Sequence, residues 1–122
     1  MSEGHTVTIT PSDEHVEVRL GDTVLASTDH PLRLDETGLP TRLYLPPADV
    51  RMDLLRKTTF QTTCPFKGEA TYWSFEDQTG ASHDGIVWAY EDPIAAAAKI
   101  AGYLSFYPGK VAVTVDGQPL GG

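Results

Sequence analysis

The sequence predicts a mainly β domain of the α+β type with one main helix near the carboxyl end, and three observations predict it. Apolar and β-branched residues alternate with polar ones over residues 6–10 and 16–20, the period-two pattern of strands with one buried face. A two-residue link, Gly21-Asp22, joins the second run to residues 23–27, and glycine supplies the positive φ that a tight hairpin needs. Only near the carboxyl end does the apolar spacing lengthen to that of a helix with one buried stripe.

Taken in order, the two alternating runs and the hairpin predict that the chain begins as a β-meander. Residues 28–40 hold two prolines, Gly38 and three acids, which suits an irregular connection around a short strand at Leu32-Arg33-Leu34. Arg42-Leu43-Tyr44-Leu45 is a further strand. Pro46-Pro47 stops it, and residues 48–52 close one helical turn as a connector. Residues 58–63 are β-branched and extended, and residues 70–75 and 86–90 are aromatic strands joined across Gln78-Thr79-Gly80. The main helix starts where Asp92 caps, Pro93 fits the first turn, and Glu91 and Asp92 complement the helix dipole. It runs to about residue 106, with Ile94, Ala97, Ile100, Ala101, Leu104 and Tyr107 on the stripe that packs on the sheet and Lys99 opposite. Pro108-Gly109 ends it, residues 111–115 form a closing strand, and Asp116-Gly117-Gln118-Pro119 leads into a glycine-rich tail that frays. With 122 residues, 40% of them hydrophobic, and neither repeat nor linker, the chain is expected to form a single domain over 1–122.

Nine Lys and Arg against seventeen Asp and Glu give a net charge of −8, which opposes long-range attraction to polyanions. The expected partner is a small molecule, with no nucleic-acid polymer and no membrane, and the chain is expected to be a monomer or weak homodimer. No run approaches the roughly 20 apolar residues of a membrane span, and Met1-Ser2-Glu3-Gly4-His5 lacks the basic-then-apolar order of a secretory leader. A cytoplasmic location is expected. One cysteine, Cys64, excludes an intrachain disulfide and a multi-thiolate zinc site.

The charge is unevenly spread. Residues 54–68 contain Arg56, Lys57 and Lys67 and no acid, whereas residues 69–98 hold six acids and no Lys or Arg. Either three scattered cations share a solvated face, or this segment binds a small anion. Cys64-Pro65-Phe66-Lys67-Gly68 is its most unusual stretch: Pro65 and Gly68 bracket a turn that brings a thiol close to an ammonium. A nearby lysine favours thiolate, so Cys64 is a candidate nucleophile; as a small buried apolar residue it would be inert. Lys67 is the stronger candidate, as an anion-holding group, and Lys67→Ala is then expected to weaken binding with little loss of thermal stability. Tyr44, Tyr72, Trp88, Tyr90, Tyr103 and Phe106 come from separate elements and supply either core or the walls of a binding hollow, with Tyr72 and Trp88 foremost. His5, His15, His30 and His83 lack the spacing of metal ligands, and His83-Asp84 offers an oriented imidazole or a solvated loop histidine. Phosphate-loop, nucleophile-elbow and H-E-x-x-H motifs do not occur, and no metal or cofactor is expected.

Three stretches carry a family resemblance: Thr62-Thr63-Cys64-Pro65-Phe66-Lys67-Gly68-Glu69-Ala70-Thr71-Tyr72, Val87-Trp88-Ala89-Tyr90-Glu91-Asp92-Pro93 and Ile100-Ala101-Gly102-Tyr103-Leu104-Ser105-Phe106. Tyr44-Leu45-Pro46 with Asp49-Val50 adds a fourth. Over nearly its whole length the chain resembles the domain family of unknown function numbered 427, also catalogued under a nucleotidyltransferase-like label. The resemblance implies a tent-like fold, two antiparallel sheets leaning together with a helix near the carboxyl end. Nucleotidyl transfer normally needs acidic pairs holding Mg²⁺ beside a Gly-Ser-type phosphate contact, and the sequence has no such pattern. Tent-fold relatives often hold zinc through paired cysteines, a set that Cys64 alone does not make.

These readings converge on a small-ligand-binding domain. Lys67 and Arg33 meet an anionic group, Tyr72, Trp88, Tyr44 and Tyr90 form planar walls, and Gly68 belongs to the turn at the site. The expected guest is small, flat and anionic, nucleotide-like or an aromatic acid. The alternatives are an enzyme with Cys64 as a Lys67-activated nucleophile and Glu69 or His83 moving protons, or a protein-interaction module using a sheet edge.

Overall fold

The computed structural model describes residues 4–120. In chain order the strands are β1 (Val7–Pro11), β2 (Val16–Leu20), β3 (Thr23–Thr28), β4 (Leu32–Glu36), β5 (Arg42–Tyr44), β6 (Leu55–Cys64), β7 (Gly68–Glu76), β8 (Ser82–Ala89), β9 (Leu104–Phe106), β10 (Ala112–Val115) and β11 (Gln118–Pro119). The fold is mainly β, and its strands form three antiparallel sheets rather than the expected two, ordered β1-β4-β5, β11-β10-β2-β3 and β6-β7-β8-β9.

The opening strands are not a meander. The β2–β3 hairpin forms across Gly21-Asp22 as expected, but β1 leaves it and pairs with β4, with Ile9 opposite Leu34. Period-two alternation fixes which face of a strand is buried and leaves its neighbour open. The four residues 12–15 are enough to carry the chain from one sheet to another.

The main carboxyl-terminal helix is absent as well. Short 3₁₀ segments occupy Pro47–Asp49, Met52–Leu54 and Ala95–Ile100, and the last is two turns broken at Ala97, whose φ of −114° and ψ of 19° are not helical. Ile94, not Asp92, stands at the turn's N-terminus, and no side chain caps it. Gly102 then takes a left-handed φ of 76°, and Leu104–Phe106 becomes β9. Tyr103-Leu104-Ser105-Phe106-Tyr107 is aromatic and suits a strand, and hydrogen bonding to β8 on one side and to Leu45 on the other satisfies its backbone. The short-range stripe survives in part: Ala97 and Ile100 are buried, whereas Ala101 is exposed and Ile94 is 43% exposed.

Two apolar clusters lie on opposite faces of the β6-β7-β8-β9 sheet, because its side chains alternate. On one face Trp73, Phe75, Val87, Ala89 and Phe106 meet Val16, Val18, Leu25 and Val113 of the second sheet. On the other, Ala70, Trp88 and Tyr90 meet Ile9, Leu34 and Tyr44 of the first, with Ala97 and Ile100 of the 3₁₀ turn beside them. Leu45 and Leu104 exchange both backbone hydrogen bonds, at 2.7 and 2.8 Å, and so tie the end of β5 to β9. That tie holds the first and third sheets together over the second cluster. Where it is described, the carboxyl end is paired: β11 folds back on β10, and Leu120 N–H donates to the Val113 carbonyl. The glycines expected to fray, Gly121 and Gly122, lie outside the described residues. No described helix is long and apolar enough to cross a membrane.

Candidate functional site

Where the first and third sheets face each other, a recess of about 170 Å³ opens. From the first sheet come Leu34 and Glu36 on β4, Arg42 and Tyr44 on β5, and Leu39 and Pro40 from the connection between them. From the third come Tyr72 on β7 and Trp88 on β8, with Lys67, Tyr90 and Tyr107 from segments that adjoin its strands. The strand period places them: Leu34 and Glu36 share a face, as do Arg42 and Tyr44, and register sets Arg42 opposite Leu34 and Trp88 opposite Tyr72.

The inner end is ionic. Lys67 and Glu36 form an ion pair there, with side chains only 8% and 3% exposed, and the Lys67 ammonium also lies 5.9 Å from the centre of the Tyr90 ring. Glu36 Oε2 bonds His5 Nε2 at 3.0 Å, and the His5 ring stacks on Phe66, one residue before Lys67. A buried ammonium and carboxylate hold each other's charge, and two of the three ammonium protons remain for another acceptor. Their turn is fixed from behind. Lys67 N–H donates to the Cys64 carbonyl at 3.2 Å, and the Lys67 carbonyl accepts from Ile94 N–H at 2.9 Å. Gly68 has φ 119°, and a Cβ there would stand 3.3 Å from Pro93 Cα, so glycine lets the turn seat against the residues that follow Tyr90.

The walls are aromatic. Trp88 Nε1–H donates to the Tyr44 hydroxyl at 3.1 Å with the rings edge to face, and Tyr107 lies against Trp88 at 4.4 Å between centroids. Burial pushes the phenols of Tyr44 and Tyr90 well above their ordinary value; burial and then the adjacent Tyr72 hydroxyl push Tyr107 up to about 12. All three are neutral donors at physiological pH. Arg42 sits 5.6 Å over the Trp88 ring and makes no ion pair with any described residue.

Of the residues singled out from sequence, Lys67, Tyr72, Trp88, Tyr44 and Tyr90 meet in this recess. Arg33 does not. It is exposed on the opposite face of β4 and pairs with Asp35 at 3.2 Å, because the strand period turns it away from Leu34. Gly68 backs the turn rather than lining the recess. Cys64 ends β6 half-buried, packed against the second cluster and outside the lining, while the lysine expected to activate it is engaged by Glu36. The basic segment shares no face: Lys67 is inside, Lys57 pairs with Glu91 at 2.9 Å, and Arg56 is exposed. Phe106 belongs to the other cluster, and Tyr103 packs at the edge of this one. His83 bonds Asp77, not Asp84, at 2.8 Å, and Glu69 is exposed. Among the described residues no three His, Cys, Asp or Glu side chains converge as a metal site.

Sequence reasoning missed Glu36, Arg42 and Tyr107. The signal for the first was the alternation of Leu32, Leu34 and Glu36, which carries β4 two residues past its expected end. For Arg42 it was the two-residue step to Tyr44 within a strand already recognised.

Residues 8–117 match the family model described as a domain of unknown function, DUF427. No curated protein matches the chain.

Proposed function

The chain belongs to the DUF427 family, and from that premise we propose a function read from the recess itself: it binds a small, flat, anionic molecule. The observation that carries this reading is the convergence of five aromatic side chains and an Arg42 without an ion pair among the described residues on one opening whose inner end holds Lys67. Pockets for drug-sized ligands occupy roughly 300–1,000 Å³, so about 170 Å³ suits a guest with a single ring. Trp88 and the tyrosines offer faces to that ring, and Arg42 and the spare Lys67 protons offer donors to its carboxylate or phosphate. The net charge of −8 does not prevent this, because charges beyond a Debye length of about 8 Å are screened while Arg42 meets the anion directly. Glu36 would repel an anion if bare; paired with Lys67, it leaves the inner end neutral. We place this binding in the cytoplasm, on a monomer or weak homodimer.

Calorimetric titration with phenyl phosphate tests the reading. The wild-type protein binds it, and Arg42→Gln weakens binding about ten-fold or more, the worth of a hydrogen bond between charged groups. Arg42 holds no partner carboxylate among the described residues, so the melting temperature stays close to wild type. Absent binding, or equal affinity in the Arg42→Gln protein, overturns the reading.

A further inference from the structure

Beside the recess lies a larger cleft of about 650 Å³, lined by Thr58, Phe60, Thr62, Ser74, Asp84, Gly85 and Lys110 together with Tyr72 and Tyr107. The last two line the recess as well, so the two spaces meet at these rings. The Tyr72 hydroxyl reaches Thr62 Oγ1 on the cleft side at 2.8 Å.

Phe60 is the unusual feature of this cleft. It is 62% exposed, the most exposed of the described large hydrophobic side chains, and a defect in the ladder puts it there. Lys57 pairs with Trp73 and Gln61 with Thr71, so β6 spends four residues where β7 spends two. The extra residues loop out as a bulge. Thr58 Oγ1 donates to the Tyr72 carbonyl at 3.0 Å and accepts from Phe60 N–H at 3.2 Å, which holds the bulge in shape. The Phe60 ring is thereby carried over Tyr72, with 5.2 Å between centroids and planes tilted by 52°. Bulges of this kind re-aim side chains at sites, and an aromatic fixed in water beside another aromatic is a surface for a third. Lys110, 5.3 Å from the centre of the Tyr107 ring and without an ion pair among the described residues, adds a positive charge to a lining that also holds Asp84.

We propose that recess and cleft are two halves of one site, whose ligand is a two-part molecule: an anionic single-ring head in the recess and a second planar, apolar part lying on Phe60 and Tyr72 in the cleft. This rests on the recess being the anion site. The occupant of the cleft is part of the same small molecule, because the two spaces share walls and the recess alone is too small for more than the head.

The test compares phenyl phosphate with biphenyl-4-yl phosphate, which adds one ring, on wild-type protein and on Phe60→Ser. The wild-type protein binds the two-ring probe about ten-fold more tightly than the one-ring probe. Phe60→Ser removes that advantage, so that the ratio of the two affinities falls to about one. Equal wild-type affinity for the two probes overturns the inference, and so does a Phe60→Ser protein that keeps the two-ring preference. A change of oligomeric state in Phe60→Ser also overturns it, since the cleft would then hold a second copy. Failure of phenyl phosphate itself to bind wild-type protein sinks the recess reading instead, so the two failures are distinct.

Discussion

Lys67 and Glu36, 31 residues apart in sequence, meet as an ion pair inside the aromatic recess, and each side chain is less than a tenth exposed. The burial changes what the lysine does. Removing one partner of such a pair strands the other charge and costs about 3–5 kcal/mol, well above the worth of a surface pair.

Lys67→Met is therefore expected to lower unfolding stability by about 3 kcal/mol, at the lower end of that range because His5 still bonds Glu36. The expectation from sequence, that Lys67 can be removed at little thermal cost, does not follow from this geometry. Adding Glu36→Gln to Lys67→Met should recover much of the loss, because no bare charge is left. Urea unfolding of the single and double variants checks both; equal destabilisation in the two would contradict the stranded-charge explanation.

Tyr44→Phe leaves the shape of the wall intact and takes away the acceptor of the Trp88 indole N–H, both groups being buried. An unsatisfied buried donor costs about 1–3 kcal/mol. Thermal unfolding should show a loss in that range, and Trp88 fluorescence should shift as its hydrogen bond disappears. An unchanged unfolding midpoint would mean that the bond contributes nothing.

Burial raises the phenols of Tyr44, Tyr90 and Tyr107 above the ordinary 10.0, with Tyr107 at about 12. A folded-state value above the unfolded one favours the neutral phenol in the fold. The resulting stability is fully present below pH 10.0 and is lost as pH rises through the folded value, about 12 for Tyr107. In an alkaline titration of the intact fold these three should stay protonated well past pH 10, Tyr107 up to about pH 12. Circular dichroism beside phenolate absorbance tests this: all five tyrosines ionising near pH 10 in an intact fold would contradict it.

Strand content was readable where side chains alternate, and the aromatic walls were readable because Tyr72, Trp88 and Tyr44 stand within strands of clear period. What misled was information of longer range. An apolar stripe in residues 94–107 fits a helix, yet Gly102 in the left-handed region and the Leu45–Leu104 hydrogen bonds turn its second half into a strand. Local pattern carries no trace of a partner from β5. The same limit hid Glu36, since nothing near it in sequence points to Lys67. It also let Arg33 stand in for Arg42: the two belong to paired strands, and only the register, Arg33 beside Leu43 and Leu34 beside Arg42, shows which guanidinium faces inward.

The chain's two tryptophans report directly on binding in the recess, because Trp88 walls it while Trp73 packs in the cluster on the other face of the same sheet. Their indole N–H resonances can be followed by NMR as phenyl phosphate is added to millimolar concentration. With the anion bound in the recess, the Trp88 signal moves in a saturable way and the Trp73 signal stays still. A Trp88 signal that does not move, or one that moves no more than that of Trp73, would contradict binding there.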